Sequence, residues 1–372
     1  MALEVNGYHK SIVSPGGGSL LLFGVVLSLL SLVSQGCAGH AASTLEARSA
    51  LDAGRPRRAI ELLNENLDVD SEEENVEDIE GENILYILDR STILQQIDKY
   101  ALSSRDLEIA DKQIEVLDFS ASAVDDIGKY LFSDDVGTYR APAYEKLMIN
   151  TMNMINYLVR GDLNGARVEA RRFSVMRKFI AEHEDQGESL SGPGSYLAGF
   201  IFEKTNKPDD ALRYYDEALQ CLPYGSLEEP IRRLATRAGY RSPRINQIIG
   251  TQQSSTVAPQ QNQDDGRADL VVIVNFGRVP AKIARRIPIG LALTLVSGYL
   301  SPSDHSRAAY LAGQGLVTWV NYPELGKAKG QWGIPYVSID GAPVALDEAF
   351  AVDEEAKKAW DEAKTAVIVS AI

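Results

Sequence analysis

The residues of this 372-residue chain best suited to hold a metal or attack a carbonyl are its four histidines and two cysteines. His9, His40, His183 and His305 are scattered, and Cys37 and Cys221 stand far apart. No zinc spacing, phosphate loop, dinucleotide fingerprint or exposed-serine elbow appears, so no catalytic residue, metal or cofactor is expected. Glu182-His183-Glu184-Asp185 has the composition of a ligand cluster. Sequence neighbours do not share a helix face, so a solvated loop is expected there. Two cysteines allow a single pairing and no disulfide framework; Cys221 reads as a small buried apolar residue on a helix.

Recognition is better served. Arg160, Arg167, Arg171, Arg172 and Lys178 lie within one helical stretch, where Arg167 and Arg171 share a face and Lys178 continues it two turns later. Such a face could hold an acidic peptide, a lipid head group or an anionic glycan; it could equally be a solvated charge face balanced by Glu169 and neighbouring acids. Arg278 and Lys282 form a second candidate, two cations on a strand-ending turn that Gly277 and Pro280 would also explain.

These cations must be positioned by helices. From about Ser43 to Tyr240, within an expected helical region of residues 43–249, apolar residues recur at three and four and turn signals are short. The clearest unit runs from Tyr196 to Pro223 and closely resembles a tetratricopeptide repeat. Ala198 and Gly199 let a second helix approach, Phe202 fills the interface, and Asn206 suits a left-handed turn. Ala211, Tyr215 and Ala218 then share a face, and Pro223 ends the helix. Gly54, Asp98 and Gly161 mark comparable turns, but their spacing exceeds the roughly 34 residues of a regular array, which implies longer helices or insertions. The acidic run over 68–82 is expected to be a solvated, mobile loop rather than a calcium site.

Residues 250–267, rich in Gln, Ser, Thr and Asp, read as a linker. The 268–372 region reads as a small α+β domain. Leu270–Val274 and Leu316–Val320 have buried-strand character, and Asp340-Gly341 signals a hairpin. Helices are expected over Ile289–Tyr299 and from Asp353 onward, the latter with Ala356, Trp360, Ala363 and Val367 as its apolar stripe. Ile287–Val296 is apolar enough to touch lipid, although buried core is favoured. Ile372 falls inside an apolar helical pattern, so the chain is expected either to be shortened or to end on a buried helix.

At the other end, Lys10 precedes the apolar run Leu20–Val33, which has the length of a signal peptide rather than a membrane span, giving an expected signal over 1–36. Ser34-Gln35-Gly36-Cys37-Ala38 resembles a bacterial lipoprotein signal, differing from it at Ser34 and Gln35. The resemblance implies a lipid on Cys37, a tether over 37–42 and, with Ala38 after the cysteine, the periplasmic face of the outer membrane. The order of signal, cysteine, Gly54 hairpin, Ile84–Arg90, Gly161–Arg172 and the repeat at Tyr196 resembles an uncharacterised family of bacterial tetratricopeptide-related envelope lipoproteins. That resemblance implies a mainly α protein, a tetratricopeptide-like helical-hairpin array followed by a small α+β domain, with no assigned reaction.

The formal charge of −15 disfavours nucleic acid as a partner. The reading that follows is a tethered, non-catalytic scaffold for a protein or peptide. The alternatives are an accessory that binds anionic envelope glycan or lipid, and a hydrolase with an unrecognised site in the C-terminal domain.

Overall fold

The computed structural model describes residues 40–79, 81, 83–120, 139, 141–183, 191–250, 269–315, 318–327 and 335–370. The expected signal, Cys37, and the linker beyond residue 250 lie outside these residues, as do Glu184, Asp185, Leu316 and Val317. The chain is mainly helical, with a small sheet region near the C-terminus.

The helices, in order, are α1 His40–Ser43, α2 Leu45–Asp52, α3 Pro56–Asn66, α4 Asn83–Gln96, α5 Tyr100–Ser120, α6 Ala143–Val159, α7 Leu163–His183, α8 Gly192–Lys204, α9 Pro208–Cys221, α10 Glu228–Ala235 and α11 Pro243–Gly250. Four hairpins, α2/α3, α4/α5, α6/α7 and α8/α9, are closed by one kind of turn. Each has a single residue in the left-handed region: Gly54, Asp98, Gly161 and Asn206, with φ of 69°, 64°, 72° and 56°. The next residue donates its N–H to a carbonyl five positions back: Arg55 to Ala50, Lys99 to Leu94, Asp162 to Tyr157 and Lys207 to Phe202, at 2.8 or 2.9 Å. This is the Schellman geometry, which satisfies helix-end carbonyls and needs a residue that tolerates positive φ. Pro56 and Pro208 then open α3 and α9 at a position where a missing N–H costs nothing.

Two apolar cores follow. The first gathers Ala59, Leu63, Ile84, Ile87, Leu94, Leu107 and Ala110 from α3 to α5. The second gathers Met154, Phe173, Ala198, Ile201, Tyr215 and Ala218 from α6 to α9, with Ile231 and Ile245 behind them. Helix α6 belongs to both, giving Ile149 to the first and Leu147 and Met154 to the second. Its asparagines, three residues apart, bond to α5: Asn156 donates to Ser103 at 3.0 Å, Asn153 accepts from Ser104, and Asn150 donates to Asp111 at 3.4 Å. Inside the first core Arg90 is fully buried, donating to both carboxylate oxygens of Asp106 at 2.7 and 3.1 Å and to Asn64 at 2.8 Å.

The acidic segment has no helix or strand among its described residues and exposes most of its acids, yet it is anchored to the first core. Arg105 donates to the carbonyls of Glu72 at 2.7 Å and Glu73 at 3.0 Å, Val76 is buried, and Val69 and Ile79 pack on the first core. Three apolar residues spread through the run give it an inward face despite its charge.

The C-terminal residues form β1 Lys282–Pro288, α12 Ile289–Leu295, α13 Pro302–Gly313, β2 Trp319–Leu325, β3 Val337–Ile339, β4 Ala342–Val344 and α14 Val352–Ser370. Strands β1 and β2 pair antiparallel from Lys282↔Leu325 to Pro288↔Trp319. The β3/β4 hairpin turns on Asp340-Gly341, both at positive φ as a tight two-residue hairpin requires. Trp360, Ala363 and Val367 of α14 share a core with Val320 and Tyr322, and Ala356 is also buried. Ile289, Ala292, Leu293 and Val296 join that core while Leu291 and Leu295 are exposed, so one face of the apolar stretch is core and the other is open.

Leu270–Val274 is not a strand. Among the described residues it has no strand partner and none of their hydrogen bonds involves its backbone, and Leu270, Val272, Ile273 and Val274 are exposed. β-Branched composition favours a strand only where a neighbour supplies the ladder. Helix α13 was not anticipated, although Ser301 accepts from the Asp304 N–H at 3.1 Å and Pro302 opens the helix, a start signal visible in the sequence.

Candidate functional site

A cleft of about 300 Å³ opens between α7 and α9. Helix α7 lines it with Arg171, Ser174 and Lys178; α9 supplies Asp210, Arg213, Tyr214 and Glu217; Phe202 of α8 is the third side. The spacing explains the convergence. On α7 the lining residues fall three and four apart, and on α9 Asp210 and Glu217 each lie three or four residues from Arg213 and Tyr214, which places each set on one side of its helix. Phe202 and Tyr214 stack with centroids 5.1 Å apart and planes 19° from parallel, a rigid apolar floor. Burial raises the Tyr214 hydroxyl above its ordinary range, so it stays protonated and able to donate.

Charge around this floor is unevenly satisfied. Arg177 donates to Glu217 Oε1 at 2.7 Å, whereas Oε2 of Glu217 is buried without a hydrogen-bond partner. Burial raises the Glu217 carboxyl, opposed by Arg177, Arg213 and Lys178. Arg213 stands 5.9 Å from the centre of the Tyr240 ring. Arg171 and Lys178 are exposed and make no hydrogen bond or ion pair among the described residues. Cations held beside an aromatic floor can bind carboxylates.

The basic set anticipated from sequence is therefore divided. Arg171 and Lys178 meet in the cleft, but Arg167 turns to Asn164 at 3.2 Å, Arg172 lies 3.4 Å from Glu169 and 3.5 Å from Asp111, and Arg160 stacks 5.3 Å from the centre of the Tyr157 ring. Arg278 and Lys282 are not in the cleft. Arg278 pairs with Asp52 of α2 at 3.0 Å, and Lys282 acts on Glu145 at the start of α6. Arg213 was missed; its signal was its position two residues after Ala211, on the α9 side opposite the packing stripe.

The packing residues frame the site. Ala198, Ala211 and Ala218 have no exposed surface, and Tyr215, at 1% exposed, lies against Gly199. The Tyr215 hydroxyl donates to Glu203 at 2.7 Å, and Glu203 also accepts from Arg233. Pro223 follows the end of α9 at Cys221, which is half-buried with its sulfur 3.5 Å from the Ser191 hydroxyl. Among the described residues no group of His, Cys, Asp and Glu could hold a metal ion, and no helix is long and apolar enough to cross a membrane. Compared with protein-family models and with curated proteins, the chain matches none.

Proposed function

We propose that the chain is a non-catalytic protein-interaction scaffold of the bacterial envelope, a tetratricopeptide-like helical array tethered through Cys37, whose α7/α9 cleft takes an acidic segment of a partner protein. The observation that carries this is the meeting of Arg171, Lys178 and Arg213 around the Phe202/Tyr214 floor. Four hairpins closed by the same turn support the repeat reading, since stacked helical hairpins present continuous surfaces to partners.

Crosslinked capture from membranes with the wild-type chain and with Arg171→Glu/Arg213→Glu tests it. A stoichiometric protein retained by the former and lost by the latter is the expected result. Recovery of glycan or lipid alone, or a partner insensitive to both reversals, would overturn it. Fatty-acid labelling that persists in Cys37→Ser would remove the tether from the proposal.

A further inference from the structure

The outer face of α7 carries a second feature beside the cleft. Its exposed positions are Asn164, Val168, Arg171, Val175, Lys178, Ala181 and Glu182, and all but Ala181 are separated by alternating steps of four and three. Val168 and Val175 are 53% and 67% exposed on a helix whose opposite side is in the second core. Steps of four and three are those of a coiled-coil seam, the line along which a second helix packs. The valines occupy one class of seam position, and Arg171 and Lys178 the other. Each pair repeats after seven residues, about 10.5 Å along the axis.

This composition selects its occupant. Two copies of the chain pairing in parallel on the seam would set each cation against its own counterpart, a burial of like charge, and antiparallel pairing would set the cations against valines that return no partner. A bare apolar helix would strip water from both cations without returning a partner. A helix with aliphatic residues at one seam class and carboxylates at the other would cover the valines and neutralise the cations together. No close ion pair holds either cation among the described residues, and Lys178 acts on Glu217 only across the cleft, so the acids of such a helix can reach both.

We infer that the partner presents an amphipathic helix, with aliphatic and acidic residues alternating at heptad spacing, which packs along Val168, Arg171, Val175 and Lys178. This rests on the protein-scaffold reading and specifies the partner's class. The probe is a synthetic three-heptad helix with Leu and Glu alternating at the seam positions, titrated by fluorescence anisotropy into the full chain. Its controls are a same-composition scramble, the peptide with Lys in place of Glu, and vesicles containing phosphatidylglycerol.

The Glu peptide is expected to bind. Arg171→Glu/Lys178→Glu should weaken it by about 100-fold, roughly tenfold for each exposed ion pair broken and reversed, and should transfer binding to the Lys peptide. Val175→Asp should weaken it with no change in fold. All three substitutions are at exposed positions, and the exchange to the Lys peptide separates recognition from unfolding. Equal binding of the scramble would overturn the helical class while leaving the acidic-partner reading intact. Failure of every acidic peptide would overturn both. Vesicle binding that vanishes with the same two reversals would assign the seam to a lipid surface and refute the inference.

Discussion

Gly199→Ala tests the helix contact on which the cleft is built. A Cβ at this position would stand 2.3 Å from Cδ1 and 2.5 Å from Cε1 of Tyr215, against ordinary carbon contacts of about 3.5–4.0 Å. The ring cannot simply turn away, because it is 1% exposed and its hydroxyl is held by Glu203. Either α8 and α9 separate or Tyr215 leaves its site. Overpacking of this kind costs about 1–3 kcal/mol, and losing a hydrogen bond to a charged group adds about 1.5–3 kcal/mol if the ring moves. The greater helix propensity of alanine returns about 1 kcal/mol. With the ring displaced the net expectation is a loss of about 1.5–5 kcal/mol, read as a lower urea midpoint at unchanged slope in circular dichroism. Gly290→Ala, with nothing within 4 Å of its new Cβ, is the control and should be neutral or slightly stabilising. Adding Tyr215→Leu to Gly199→Ala should recover part of the loss. A Gly199→Ala protein as stable as wild type, or a double variant showing simple additivity, would refute the steric account.

Two further outcomes are expected. Glu145 accepts hydrogen bonds from Tyr139 and, at 3.1 Å, from Tyr144, and burial pushes its carboxyl up to about 7. The folded protein therefore holds this proton more tightly than the unfolded chain does, so stability should fall as pH rises from about 4.5 to 7, by up to about 3 kcal/mol; Glu145→Gln should flatten that slope, and an unchanged urea-midpoint profile would count against it. Asp106→Ala should cost about 3–5 kcal/mol by stranding the buried Arg90 charge, whereas Arg90→Met with Asp106→Leu should lose much less, as thermal denaturation of the two would show.

The helical half was legible wherever one residue answers to one backbone demand. Gly54, Asp98, Gly161 and Asn206 could be named from sequence because few side chains tolerate positive φ. Ala198, Gly199 and Tyr215 could be named because close helix approach requires a small residue opposite a large one. The Arg90–Asp106 pair could not, since its partners lie on different helices and an arginine in a helix looks the same buried or exposed. Arg213 is hidden for a related reason: the sequence of α9 displays its packing stripe, whereas the cleft depends on which other helix faces its far side. Leu270–Val274 shows the opposite failure, a local propensity for which the described residues supply no neighbouring strand.

Helix α6, whose two faces serve different cores, sets how the molecule can be divided. Bisecting the chain on its N-terminal side would lay Ile149 and the asparagine ladder open to water; bisecting it on its C-terminal side would do the same to Leu147 and Met154. Neither half can close its interior with its own residues, so the array is expected to melt as one cooperative block. Loss of the first hairpins would then loosen α6, on which the buried face of α7 rests.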